Sequence, residues 1–352
     1  MKIAVHIPLG GVTGYGRDGE GVIDSLIEAG HDVHVFPKAV VPPISPNTAL
    51  ALTKMPVPPF DVSLVHVWPG GFEANAGRRS TSHRLIGWTM WEHPAPDPEW
   101  AEEFAEATAE MDLLLVYDET TETSLGPIAK CPVKRLQGGY DPSSYHPEQR
   151  EWTGTFRFGM MGDLANRRKD PFTAIRAFTI LKERHGEDFD AVLHLKSSSP
   201  GIPPRMTETY PWLQIDVGLW PVPRVQQFYA GLHCLIAPSR GEGKNLPALE
   251  AMTTGIPVIA SLVGGHKEWF HPSMGWGVPA PEVPFEGRTW ARVDPEALAE
   301  AMWEAYSDRA LTRRKGEQAQ RTVPAMCSWT AVTRRFMEHA QQIPAKEATG
   351  TW

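Results

Sequence analysis

Two glutamates, Glu242 and Glu250, stand with seven residues between them in the stretch LHCLIAPSRGEGKNLPALEAMTTGIPVIAS, Leu232 to Ser261. Carboxylates accept hydrogen bonds from hydroxyl groups, so such a pair suits a polyhydroxylated ligand. Between them, Lys244-Asn245-Leu246 runs into Pro247. Proline fits the first turn of a helix, where its missing N–H costs nothing. Amides at a helix start have no partner within the helix, and the helix dipole adds positive potential there, so the turn suits a phosphate. One short segment thus offers a diphosphate seat flanked by two acceptors. Taken singly, Glu242 reads equally well as a solvated loop residue, and Glu250 as a complement to the helix dipole.

The elements that hold these groups follow from the pattern around them. Leu232 to Ala237 is an apolar run of strand length, Pro238 to Asn245 a polar loop with Gly241 and Gly243, Ala248 to Thr254 a short helix stopped by Gly255, and Pro257 to Ala260 the next strand. A strand–helix–strand crossover this short predicts a parallel sheet with helices on its faces. Glu242 then falls just past a strand's carboxyl end, where ligands bind in open α/β sheets.

The first forty residues follow the same alternation. Strand Lys2 to Ile7 leads through Gly10, Gly11, Gly14 and Gly16 into helix Gly19 to Ala29 and strand His31 to Phe36. The glycines do not follow G-x-G-x-x-G and no acid closes the second strand, which disfavours a nicotinamide-dependent dehydrogenase. Further strands are predicted at Asp61 to Val67, Arg84 to Trp91, Leu113 to Tyr117 and Val133 to Leu136, with an acidic helix from Pro98 to Met111. Pro42 to Pro59 reads as a loop or a marginal helix. Trp68, Trp88 and Trp91 are candidates for a stacking platform as well as for core packing. Beyond residue 150 come strand Thr155 to Met161, helix Pro171 to His185, strands Ala191 to Lys196 and Gln214 to Leu219, and helix Pro221 to Gly231. Asp294 to Tyr306 and Arg309 to Gln320 read as helices, and Ser328 caps a last one ending at Gln342.

Composition narrows the class. The 352 residues imply two domains, and a hydrophobic content of 41% supports two real cores. Cys131, Cys234 and Cys327 are few, odd in number and far apart, against a disulfide framework and for a reducing, cytoplasmic setting. The net charge of −8 gives no general attraction to nucleic acid or anionic lipid, although Arg78, Arg79 and Arg84 form a local basic spot. The start MKIAVHIPLGG is too short for a signal peptide, and no apolar run is long enough to span a membrane. Asp188-Phe189-Asp190 precedes a strand and reads as a surface turn, so no metal and no other cofactor is expected.

Glu-x7-Glu followed by Ala-Met-x-x-Gly-x-Pro-Val-Ile-Ala, with Val263-Gly264-Gly265-x-x-Glu268 behind it, resembles the signature of retaining glycosyltransferases of the GT-B fold, family-4 type (glycosyl transferases group 1). Gly138-Gly139-Tyr140-Asp141-Pro142 with Tyr145 and Pro147 is similar to that family's junction segment. The resemblance implies that Glu242 meets the donor sugar's hydroxyls and Glu250 the nucleotide ribose. It makes Lys169 a diphosphate-binding lysine and brings Gly11, Gly14 and Gly16 against the donor from the first domain. The family's arginine after the glycine of the Gly162 turn is replaced by Asp163, so Arg168 or Arg167 is the candidate substitute. Lys244 and Asn245 also depart from the family's pattern, and Lys244 reads as a phosphate contact or a surface lysine. His93 is placed on the sugar and Glu92 on the acceptor hydroxyl.

The sequence therefore predicts an α/β protein of two Rossmann-like doubly wound domains facing a cleft: 1–150 on the acceptor side, 151–325 binding the nucleotide sugar, and 326–352 as a helix crossing back to the first domain. The implied activity is a metal-independent, retaining transfer of a sugar from a UDP- or GDP-sugar to a hydroxyl. A non-hydrolysing sugar-nucleotide epimerase and a catalytically silent sugar-nucleotide binder share the architecture. The acceptor stays open among a glycan, a small metabolite, a lipid-linked sugar and, as a minority reading, a hydroxymethylated DNA base.

Overall fold

The structure, a computed structural model, describes residues 1–10, 14–72, 76–147, 150–203, 205–285, 288–348 and 350. The chain divides into two compact units: Met1–Asp141 with Cys327–Trp352, and Pro142–Met326.

In the first unit, β1 (Lys2–Gly10), β2 (Asp32–Val41), β3 (Val62–His66), β4 (Leu85–Thr89), β5 (Leu113–Val116) and β6 (Val133–Arg135) form one parallel sheet in the order β2-β1-β3-β4-β5-β6. Its inner strands are buried on both faces, and they read as continuous apolar runs rather than alternating ones for that reason. The helices are α1 (Gly14–Glu28), α2 (Pro46–Leu52), α3 (Ala76–Ser80), α4 (Ala101–Ala109) and α5 (Glu119–Leu125). Helix α1 starts at Gly14 rather than at the expected Gly19, so Gly14 and Gly16 lie in its first turn, while Gly11 falls outside the described residues. Trp88 is 1% exposed and its indole donates to the carbonyl of Leu136, which removes it from any stacking platform; Trp68 remains half exposed.

The second unit holds β7 (Phe156–Gly162), α6 (Pro171–His185), β8 (Ala191–Ser197), α7 (Met206–Thr209), β9 (Leu213–Val217), α8 (Val222–Ala230), β10 (Cys234–Ala237), α9 (Leu246–Thr253), β11 (Val258–Ser261), α10 (Gly265–Trp269) and β12 (Gly275–Val278). Its sheet, again parallel, runs β12-β11-β10-β7-β8-β9. An antiparallel pair, β13 (Glu282–Phe285) and β14 (Arg288–Ala291), precedes α11 (Pro295–Ser307) and α12 (Arg309–Cys327). Helix α12 passes Pro324 without ending, beyond the stop expected at Gln320. The chain reverses its direction of growth between β7 and β10, so the carboxyl ends of those two strands make the crevice in which open α/β sheets bind ligands.

The expected junction lies near residue 150, whereas Pro142 onward is tied to the second unit. Gln226 donates to the carbonyl of His146 (2.8 Å), and Arg150 donates to the carbonyls of Tyr229 and Gly255. At the other end α13 (Trp329–Gln342) rejoins the first unit. Ser328 caps it through a bond from Ala331 N, and the hydroxyls of Thr333 and Ser25 bond it to α1. Gly21 is required on α1 because a Cβ there would collide with the indole ring of Trp329. Among the described residues no helix is long and apolar enough to cross a membrane.

Candidate active site

Glu242 sits on the loop after β10, at the strand-order reversal, and is 3% exposed. Three side chains converge on it. Lys169 Nζ lies 2.6 Å from Oε1, Arg168 Nη1 lies 2.9 Å from Oε2, and the Ser239 hydroxyl donates to Oε1 at 2.6 Å. Burial alone would raise this carboxyl's pKa. The two cations outweigh burial and hold it well below the usual carboxylate range.

The turn that carries the cations is fixed at both ends. Asn166 caps Arg167–Lys169 by accepting from Arg168 N. Asp170 adopts the left-handed conformation (φ 51°) and caps α6 through Thr173. Arg240, two residues before Glu242, ion-pairs with Asp170 at 2.7 Å and donates its backbone N–H to the carbonyl of Arg168 at 2.8 Å. The β7 turn and the β10 loop are thereby tied together, and long, rotamer-rich side chains are held where their ammonium and guanidinium groups meet one carboxylate.

A third loop closes from behind. Gly265 N donates to the carbonyl of Glu242 at 2.6 Å. Gly264 has φ +41°, and a Cβ on it would run into that carbonyl oxygen, so only glycine permits the approach. His266 is fully buried. Its Nδ1 donates to the carbonyl of Ser261 (2.7 Å), which leaves Nε2 to accept from Asn245 Nδ2 (2.8 Å). Burial lowers its pKa to about 4, against the pull of Glu242, so it is neutral at physiological pH. Asn245, at φ 66°, precedes α9, and its amide faces His266 rather than capping the helix. No side chain of Asn245 therefore competes for the first-turn amides, in keeping with a phosphate seat.

The other expected residues fall as follows. Leu246 opens α9, and Lys244 is 4% exposed with its carbonyl bonded to the Trp269 indole, which excludes a surface lysine. Glu250, 2% exposed on α9, accepts from the Tyr229 hydroxyl at 2.9 Å. Asp163 is exposed and receives the Ser199 hydroxyl, while Arg168 reaches Glu242. Glu92 and His93 follow β4 in the first unit, with His93 packed on Trp91 (ring centroids 4.7 Å). Arg79 and Arg84 are engaged within that unit, with Asp112 and the carbonyl of Ile343.

Sequence reasoning missed Ser239, Arg240, Tyr229 and His266. Ser239 and Arg240 were legible in principle, because the short Ser-Arg-Gly-Glu loop keeps them beside Glu242. Tyr229 carried no signal, since it approaches Glu250 from a different helix. At the same end of the first sheet the sequence also hid a buried chain: the Tyr117 hydroxyl donates to Asp18 at 2.7 Å, with His66 Nε2 3.1 Å from the same oxygen.

Residues 155–308 match the family described as Glycosyl transferases group 1. Over 104 residues the chain is 35% identical to the lipopolysaccharide core biosynthesis mannosyltransferase LpcC of Rhizobium leguminosarum bv. viciae, a match covering 30% of this chain and 26% of that protein's length. Among solved structures it is similar to sucrose-phosphate synthase from Thermosynechococcus elongatus, with a TM-score of 0.70, 17% identity and coverage of 97% of this chain and 98% of the other. It is also similar to HepE of Anabaena in complex with UDP-glucose, with a TM-score of 0.62, 13% identity and coverage of 97% and 99%. At these identities the structural likeness is one of fold. The chain thus has the GT-B fold, and residues 155–308 within its second unit match the glycosyl transferases group 1 family.

Proposed function

We propose that this protein transfers a sugar from a nucleoside-diphosphate donor to a hydroxyl acceptor with retention at the anomeric carbon. The observation that carries the reading is the meeting of Lys169, Arg168 and Glu242 at the β7/β10 reversal. Two cations and the α9 amides offer seats for a diphosphate; Glu242 offers an acceptor for sugar hydroxyls, and Glu250, steadied by Tyr229, one for the ribose. As the anomeric C–O bond breaks, negative charge grows on the leaving diphosphate, and cations in a buried site stabilise it. The acceptor's proton passes to an oxygen of that diphosphate, so no protein nucleophile and no metal is required. One relative named for mannosyl transfer, and one structural neighbour solved with UDP-glucose, favour a hexose on a nucleoside diphosphate.

Thermal stabilisation by a panel of UDP- and GDP-sugars identifies the donor, because a ligand that binds only the folded state raises the melting temperature. Incubation with acceptor pools then reads transfer, and the product's anomeric configuration reads retention. Glu242→Gln is expected to lower the transfer rate by at least about a hundredfold, the scale of losing one group fixed on the transition state, while the fold is kept. Full turnover in that variant would contradict the assignment. Conversion of the nucleotide sugar with no acceptor present would make the protein an epimerase instead.

A further inference from the structure

Lys169 and Arg168 grip Glu242 itself, at 2.6 and 2.9 Å, and not merely the space beside it. A diphosphate seated on these cations shares their N–H donors and their charge with the carboxylate, and so weakens their hold on it. We propose that Glu242 is a built-in competitor of the donor's diphosphate, and that this competition makes the site favour the intact nucleotide sugar over the nucleoside diphosphate it leaves behind. The inference rests on the donor-site reading above and adds to it a discrimination between substrate and product.

The fate of the carboxylate decides the outcome. Glu242 is 3% exposed, so once its cations turn to a diphosphate it is a buried charge facing another anion, and such a charge is costly unless other donors reach it. Ser239 supplies one hydroxyl at 2.6 Å. His266 supplies nothing further, because its Nδ1–H is committed to Ser261 and its Nε2 to Asn245. An intact nucleotide sugar brings its own hydroxyls to the freed oxygens, whereas a nucleoside diphosphate lacks that sugar. The ion pairs therefore re-form as the nucleoside diphosphate departs, which speeds its release.

The test is calorimetric binding of pyrophosphate, UDP, UDP-glucose, GDP and GDP-mannose to the wild-type chain and to Glu242→Gln. Removing the carboxylate is expected to tighten pyrophosphate and the nucleoside diphosphate by about tenfold, and to shrink the preference for the nucleotide sugar over its nucleoside diphosphate by at least as much. Glu242→Asp keeps the charge but withdraws it from the cations, and serves if the glutamine variant does not fold; it is expected to shift both quantities in the same direction, by about threefold. Unchanged or weaker pyrophosphate and nucleoside diphosphate binding in a folded variant overturns the proposal. If pyrophosphate tightens but no nucleotide sugar binds any form, the competition stands and it is the donor reading that has failed.

Discussion

At Glu242 a residue that reads as an ordinary loop acid turns out to be a charge held in place by its neighbours. Its identity and spacing were visible in the sequence, and the resemblance named Lys169 and Arg168 for the same donor site; their pairing with Glu242 was not legible, because Lys169 comes from a turn 73 residues earlier. The buried titratable groups give this scale its own prediction. His6 is 6% exposed, and its pKa is lowered to about 3 by burial, with Arg78 and Lys38 adding to the effect. His266 is lowered to about 4. Both are neutral in the folded protein, while an unfolded histidine takes up a proton below about pH 6.5. Folding stability is therefore fully present above pH 6.5 and declines as the pH falls toward those lowered values, at up to ~1.4 kcal/mol per pH unit for each group. Glu242, held below its ordinary range, adds a loss in the same direction at more acidic pH. Urea denaturation at pH 7 and pH 5 is expected to show a clear drop for the wild type and a smaller one for His6→Phe; equal drops would mean that His6 is not held neutral by the fold.

Elements place these residues, and the short ones matter most. Strand β7, helix α6 and the strand–loop–helix around Glu242 were all legible, since apolar runs, Pro171 and Gly255 mark their limits. Boundaries slipped where a local signal was overruled by packing. Glycine-rich sequence suggested a loop through Gly16, yet α1 begins at Gly14, and Pro324 did not stop α12. The loop between β11 and α10 offers the sharpest test at this scale. Gly264→Ala forces a Cβ against the carbonyl of Glu242 in a left-handed backbone conformation, which costs about 2 kcal/mol or more. Chemical denaturation should show that loss, and the transfer rate should fall further than stability alone explains, because the Glu242 loop is pushed out of place. An alanine variant with wild-type stability and rate would show that the close approach is not needed.

Across the whole molecule the chain makes two six-stranded parallel sheets from sequences that share no obvious repeat, and it returns to the first after completing the second. The Ser328 cap marked the helix, and its return to the first unit was implied by the resemblance to the GT-B fold. The bonds of the junction segment to Gln226, Tyr229 and Gly255 were not, since no local pattern reports them. Helix α13 is structural to the first unit: Phe336, 1% exposed, stacks near Trp88, and Trp329 packs edge-on to the same ring. Phe336→Ala is expected to cost ~3–5 kcal/mol, read as an earlier transition in chemical denaturation. A change below about 1 kcal/mol would mean that α13 only decorates that core.

Everything proposed for this protein depends on the carboxyl ends of β7 and β10 holding an activated sugar by its diphosphate. A crystal structure of the protein with the nucleotide sugar that stabilises it most answers that point. The expected result is a diphosphate oxygen within hydrogen-bond reach of Lys169 Nζ, with sugar hydroxyls on the Glu242 carboxylate. A nucleotide sugar seated elsewhere, with Lys169 still paired to Glu242, would contradict it.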